Sequence, residues 1–96
     1  MRDDEMDETV ECGRGWESLY APLIARCKAE GVGVLQIKEK FGGLRFYVMD
    51  GSEELHAAIK EAEAKSLTIC EQCGSPGELR KGGWRKTLCD QHAQEG

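Results

Sequence analysis

The sequence predicts an α+β fold: a helix, a two-stranded antiparallel hairpin, a second helix, and then a C-terminal zinc ribbon. Three observations carry this. Apolar residues recur at helical spacing over residues 16–30 and 55–62. They alternate through residues 32–40 and 44–49, with a glycine pair between the two runs. The end of the chain reads C-x2-C, fifteen residues, C-x2-H, through Cys70, Cys73, Cys89 and His92.

Each half of that last pattern is a tight loop that aims two thiolate or imidazole donors at one point. Together they make the four-ligand tetrahedral set of structural zinc. The ion suits these donors because it is borderline-soft and redox-silent. A closed set leaves no position for water or substrate, so it points to one structural Zn2+. A redox C-x2-C wants a helix N-terminus after a strand, and it would leave Cys89 and His92 without a reason.

In the first helix the apolar positions are Trp16, Leu19, Tyr20, Leu23, Ile24 and Cys27. Gly13 and Gly15 precede it and Gly31 follows, where start and stop signals belong. Pro22 removes one backbone hydrogen bond. Either the helix bends there, or a short turn over 16–20 precedes a helix that begins near Pro22. Cys27 lies on the apolar stripe and reads as a small buried hydrophobe.

In the hairpin, Leu35 and Ile37 share one face of the first strand, and Gln36, Lys38 and Lys40 the other. Leu44, Phe46 and Val48 share a face of the second, with Arg45, Tyr47 and Met49 opposite. Gly42 and Gly43 supply the positive φ of a tight turn. Asp50-Gly51 is a further turn, and Ser52 caps a second helix that runs to about Lys65 or Ser66. Glu53 and Glu54 sit in its favourable first turn. Leu55, Ala58, Ile59 and Ala62 form its apolar stripe, with Lys60, Glu61 and Glu63 facing away. A two-stranded sheet is marginal alone. The ribbon strands extend or buttress it, or a second copy does, which makes a homodimer a live expectation.

No flexible linker separates the second helix from Cys70, so the zinc unit should pack on that helix. Gly74-Ser75-Pro76-Gly77 is turn chemistry. Residues 78–81 and 84–88 are short strands around Gly82-Gly83, giving knuckle, hairpin, knuckle. The division is therefore 1–11 as an acidic disordered arm, 12–66 as the body and 67–93 as the ribbon. The chain has 96 residues, and its net charge of -5 resides in the arm. Residues 1–12 set Asp3, Asp4, Glu5, Asp7, Glu8 and Glu11 against Arg2 alone, and the rest balances to zero. A chain-wide basic footprint for nucleic acid is thus missing. No apolar run reaches membrane-spanning length, and the N-terminus is acidic where a signal peptide is basic. A reduced, cytoplasmic setting follows from cysteines spaced for metal.

Two stretches carry a resemblance: Gln36-Ile37-Lys38-Glu39-Lys40-Phe41-Gly42-Gly43-Leu44-Arg45-Phe46-Tyr47, and Gly82-Gly83-Trp84 through Thr87-Leu88-Cys89-Asp90-Gln91-His92. With the opening Cys12-Gly13-x-Gly15-Trp16, they resemble a group of small zinc-ribbon proteins of bacteriophages, prophages and bacterial genomes. The resemblance spans residues 12–92 and leaves the acidic arm uncovered. The chain departs from the group at Pro22. What the resemblance implies is a phage or mobile-element setting and no particular activity.

No catalytic constellation emerges. Cys12, at the edge of the arm, would need a base, and His56 is the histidine not committed to metal. The glycine pairs lack phosphate-cradling spacing. Two surfaces remain for binding. One is the hairpin face of Lys38, Lys40, Arg45 and Tyr47. The other is the ribbon hairpin of Arg80, Lys81, Trp84, Arg85 and Lys86, where Trp84 either stands exposed among cations or folds back over the zinc knuckles. The expectation is a non-catalytic zinc-binding accessory protein that docks on a host protein or complex, with counter-defence inhibitors of the anti-CRISPR type as the obvious subclass. The alternative is a nucleic-acid-binding ribbon acting through the Trp84 hairpin.

Overall fold

A three-stranded mixed sheet with two helices against one face forms the body, as seen in a computed structural model that describes residues 10–81 and 85–95. The α+β class holds. Strand β1 (Val10–Glu11) leads through a 3-10 turn (Arg14–Trp16) into helix α1 (Glu17–Glu30). Strands β2 (Val34–Lys40) and β3 (Gly43–Val48) follow, then helix α2 (Glu53–Lys65) and a 3-10 turn (Ser66–Thr68). The C-terminal unit comprises β4 (Glu78–Arg80), β5 (Lys86–Leu88) and helix α3 (Asp90–Glu95). No helix among the described residues is long and apolar enough to cross a membrane.

The first helix does not break. It runs through Pro22, preceded by the 3-10 turn. Pro22 and Ser18 are both exposed, so the carbonyl that Pro22 cannot satisfy lies on the wet face, where water replaces the lost bond. Gly31 ends the helix with φ 73°, in the left-handed region. Trp16, Tyr20, Leu23 and Cys27 are buried along its inner stripe. On α2 the inner stripe is Leu55, Ile59 and Ala62, and the Ser52 hydroxyl accepts the Leu55 N–H at 3.1 Å. That hydroxyl also donates to Glu30, tying the end of α1 to the start of α2. The bond holds the Glu30 carboxyl below its ordinary range.

The sheet departs from a simple hairpin in three ways. First, β1 pairs in parallel with β2, Val10 opposite Ile37 and Glu11 opposite Lys38. The third strand thus comes from residues 10–11, which the sequence assigns to the arm; residues 1–9 lie outside the described part. Strands β4 and β5 of the C-terminal unit form a separate sheet and do not extend this one. Second, a β-bulge falls between Val34 and Gln36. It turns Leu35 out to solvent and gives its place against the core to Val34. Ile37 and, across from it, Leu44, Phe46 and Val48 keep the inward face. Third, the turn residues are Phe41 and Gly42, with φ of 56° and 86°, and Gly43 already pairs with Lys40. Positive φ at both central positions is the hairpin turn in which Asn-Gly is preferred. A phenylalanine there is an outlier that costs about 1–2 kcal/mol.

The free edge of β3 is closed from within the chain. The Leu44 N–H donates to the Ser66 hydroxyl at 2.9 Å, and the Phe46 N–H donates to the Glu63 carboxylate at 3.0 Å. Glu63 therefore turns toward the sheet and not, as its helical position suggests, away from it. Side chains occupying these amides keep a further strand from adding at this edge.

Candidate metal centre and its seat on the body

The C-x2-C half lies where the chain turns sharply after Ile69. The Cys70 carbonyl accepts the Gly74 N–H at 2.9 Å, and Gly74 takes φ 84° to close the loop. Cys89 lies between β5 and α3 and His92 sits on the first turn of α3, with the Cys89 carbonyl accepting from Ala93. The second ligand pair thus rides on a helix start, where the sequence pattern suggests another loop. Three residues of helical chain put the Cys89 thiol and the His92 ring on one side.

The four donor atoms lie within 4.8 Å of one another. Cys73 Sγ is 3.8 Å from Cys89 Sγ, while His92 Nδ1 is 3.5 Å from Cys70 Sγ and 3.3 Å from Cys89 Sγ. A tetrahedral zinc site with ordinary Zn–S and Zn–N bonds has S···S edges of about 3.8 Å and S···N edges of about 3.6 Å. The residues fit a single metal ion.

Electrostatics prepares the thiols unevenly. Burial works against the Cys70 thiolate, yet the backbone N–H groups of Cys89, Cys73 and Gln72 outweigh it and hold the thiol below its usual value. Hydrogen bonds from the Ser75 side chain and backbone bring Cys73 down to about 7. Cys89 is pushed up: the His92 N–H favours its thiolate, but burial and the neighbouring Cys73 and Cys70 prevail. Three thiolates crowded on one point repel each other, and a divalent cation removes that conflict.

The centre is fastened to the body at two places. At the first, the Gly15 N–H donates to the Glu71 carbonyl at 2.6 Å, and the Gly13 N–H to the Glu71 carboxylate at 2.9 Å. The indole N–H of fully buried Trp16 donates to the Ile69 carbonyl at 2.8 Å. A Cβ on Gly15 would stand 2.1 Å from the Cys70 carbonyl oxygen, and one on Gly13 would stand 2.4 Å from that of Glu71. These glycines therefore exist for close backbone approach as much as for starting a helix. At the second place, the Thr87 hydroxyl donates to the Gly42 carbonyl at 2.7 Å, and Leu79 packs where a Gly42 side chain would go. Lys86 bridges Glu39 at 3.7 Å and Glu71 at 3.5 Å.

The two candidate binding surfaces consequently meet, with the backbone of Arg85 and Lys86 running beside Gly42. They are not equal, however. Arg80 donates to Asp90 at 2.8 Å and to the Leu88 carbonyl, within the C-terminal unit, and Lys86 is taken by Glu39 and Glu71 at the seam with the body. Lys81 and Arg85 are exposed, and Trp84 lies outside the described residues. On the hairpin face, Lys38 stands directly opposite Arg45, and Gln36 opposite Tyr47. Among the described residues, Lys38, Lys40 and Arg45 form no ion pair.

Cys12 is half-buried rather than exposed, and burial, then Glu71 and Glu39, push its thiol up to about 12. His56 lies elsewhere, beside Gly51. Glu71, Thr87 and Trp16 are the residues that sequence reasoning left without a role at the site. For Trp16 and its approach to Glu71 the Cys12-Gly13-x-Gly15-Trp16 string was the available signal, since paired glycines before an aromatic mark close packing.

No protein-family model matches the chain, and neither does any curated protein or any solved structure.

Proposed function

We propose that the protein is a small non-catalytic accessory protein, closed by one structural zinc ion, that acts by binding another protein. In this reading the C-terminal unit is a zinc ribbon whose second ligand pair has moved onto a helix start. Cys70, Cys73, Cys89 and His92 hold the ion, which supplies folding energy to a unit with little apolar core. The observation that carries the reading is the fusion of this centre to the β2–β3 turn at Gly42, because a metal staple set behind a surface turn stiffens that turn for contact. The partner in this reading is a host protein or complex in a bacterial cytoplasm, in keeping with the phage setting that the resemblance implies, and a counter-defence inhibitor is one such role. A thiol held near 12 and a histidine on a different element support the absence of Cys–His catalysis. Engagement of Arg80 within the unit and of Lys86 at its seam with the body counts against the nucleic-acid alternative.

Elemental analysis of purified protein is expected to give one zinc per chain, and chelation to abolish capture of partner protein by the immobilised chain. Zinc well below one equivalent, or capture indifferent to chelation, contradicts the reading.

A further inference from the structure

Phe41 is the most unexpected residue on this surface. It is 62% exposed, at the apex of a tight turn, in a backbone conformation that suits glycine or asparagine. The packing of the body gives no reason for it: Gly42, not Phe41, makes the turn's contacts with the C-terminal unit. Those contacts fix the turn. Gly42 donates to Glu39 at 2.8 Å, accepts from Thr87, and leaves room for Leu79. An apolar ring is thus displayed on a backbone that has little freedom left to lose on binding.

The charges around it have a matching character. Lys40 Nζ lies 5.6 Å from the centre of the Phe41 ring. Lys38 faces Arg45 on β3 and Glu11 on β1, so this face carries two neighbouring cations with one carboxylate at its far edge. Exposed Arg85 lies beside Gly42 on the other hairpin. The apex is therefore a convex aromatic knob set among cations.

We propose that this apex is the docking anchor: Phe41 enters an apolar pocket on a partner protein, and Lys38, Lys40, Arg45 and Arg85 meet carboxylates at the pocket's rim. The inference rests on the protein-binding reading above and adds its contact point and the chemistry of the partner. Shape favours a protein over a nucleic acid, because single strands run along grooves with successive stacking platforms, whereas a lone knob needs a concavity.

The test starts from Phe41→Asn, which creates an Asn-Gly turn and is expected to raise the melting temperature by about 4–8 °C. A lowered melting temperature would show that Phe41 serves the fold and would overturn the anchor. Full-length protein with a photoreactive phenylalanine at position 41 is then crosslinked in bacterial lysate, and the attachment point is mapped. Attachment in an apolar pocket flanked by Asp or Glu is expected. Attachment to an exposed basic face, or to a second copy of this chain, overturns the proposal. With the captured protein purified, Phe41→Asn should weaken binding at least about 30-fold. Lys38→Glu with Arg45→Glu should weaken it about 10-fold and flatten its salt dependence. If that protein binds wild type and Phe41→Asn equally, the apex is wrong while the protein-binding reading survives. If no protein is captured, or a fluorescent oligothymidylate binds with a steep salt dependence, the reading itself falls.

Discussion

Residues 10–69 enclose a core of ten buried apolar side chains, from Trp16 through Ile37 and Leu44 to Ala62, whereas the described residues from Cys70 onward bury only Cys70 and Leu88 among their apolar groups. Thr87 and Glu71, both polar, are also buried there. The first region is held by area removed from water. The second is held by donors aimed at one point and by hydrogen bonds to the first, such as those at Glu71 and Gly42. Two parts of one small chain thus depend on different conditions. The body needs only water around it, while the C-terminal unit, in the reading proposed above, needs an ion and a surface to lean on.

Metal removal should separate them most sharply. Structural zinc contributes about 10–16 kcal/mol in small metal-folded units at neutral pH. Chelation is expected to collapse the amide signals of the C-terminal unit in a two-dimensional NMR spectrum, while α1, α2 and the sheet keep theirs. A C-terminal unit still dispersed without metal would break the distinction. Global unfolding would show instead that the seam at Trp16 and Gly42 makes one cooperative unit of the two.

The seam itself gives the next largest effect. Gly15→Ala drives a Cβ into the Cys70 and Glu71 carbonyls, with backbone on both sides and no flexible side chain to yield. A loss of about 3 kcal/mol in urea unfolding is expected, together with weaker zinc retention. Gly31→Ala is the control: its Cβ would meet nothing, so only the positive φ opposes it, at about 1 kcal/mol. Equal effects at the two glycines would mean that the approach at Gly15 is not under packing constraint.

Much of the body is legible in the sequence, because its periodicities are those of burial. The stripes of α1 and α2, the Gly31 stop, the Ser52 cap and the inward set Leu44, Phe46 and Val48 all follow from spacing. Leu35 misleads because a bulge carries no fixed residue signature, and one extra residue reverses the alternation on its far side. Glu63 misleads because a long carboxylate reaches an amide that its helical position does not face. The metal donors are legible because ligand spacing is local. Their seat on Gly13, Gly15 and Gly42 is not, since those contacts join residues more than forty positions apart.

Ser66→Ala tests the body in a way that burial alone does not predict. It deletes one hydroxyl group, yet leaves the Leu44 N–H buried at a closed sheet edge without an acceptor. The cost expected is about 1–3 kcal/mol. Its measurement is the urea midpoint, with zinc content unchanged. A loss of zinc in this variant would join the two regions more closely than their separate cores suggest.

Acid and alkali should discriminate between the regions with the smallest perturbation of all. Cys73 has a folded value of about 7 against 9.0 for an ordinary thiol, so its ionisation favours the folded unit above 9.0, and that advantage is lost as pH falls through about 7. Protons then compete with the ion, and apparent zinc affinity should decline with each step below that point. Cys12 has the opposite sign. Its value is raised to about 12, so the advantage of keeping it a thiol is complete below 9.0 and disappears as pH rises toward 12. The C-terminal unit should therefore weaken first in acid and the packing around Cys12 first in alkali. Alkylation separates the regions at neutral pH: once chelation has opened the C-terminal unit Cys73 reacts with iodoacetamide, while Cys27, buried in the body with its thiol pushed up by that burial, reacts only on global unfolding. In the metal-loaded chain Cys12 stays unlabelled. Fast labelling of Cys12 in the folded chain would place the seam between Glu71 and the body in a more open state than its hydrogen bonds imply.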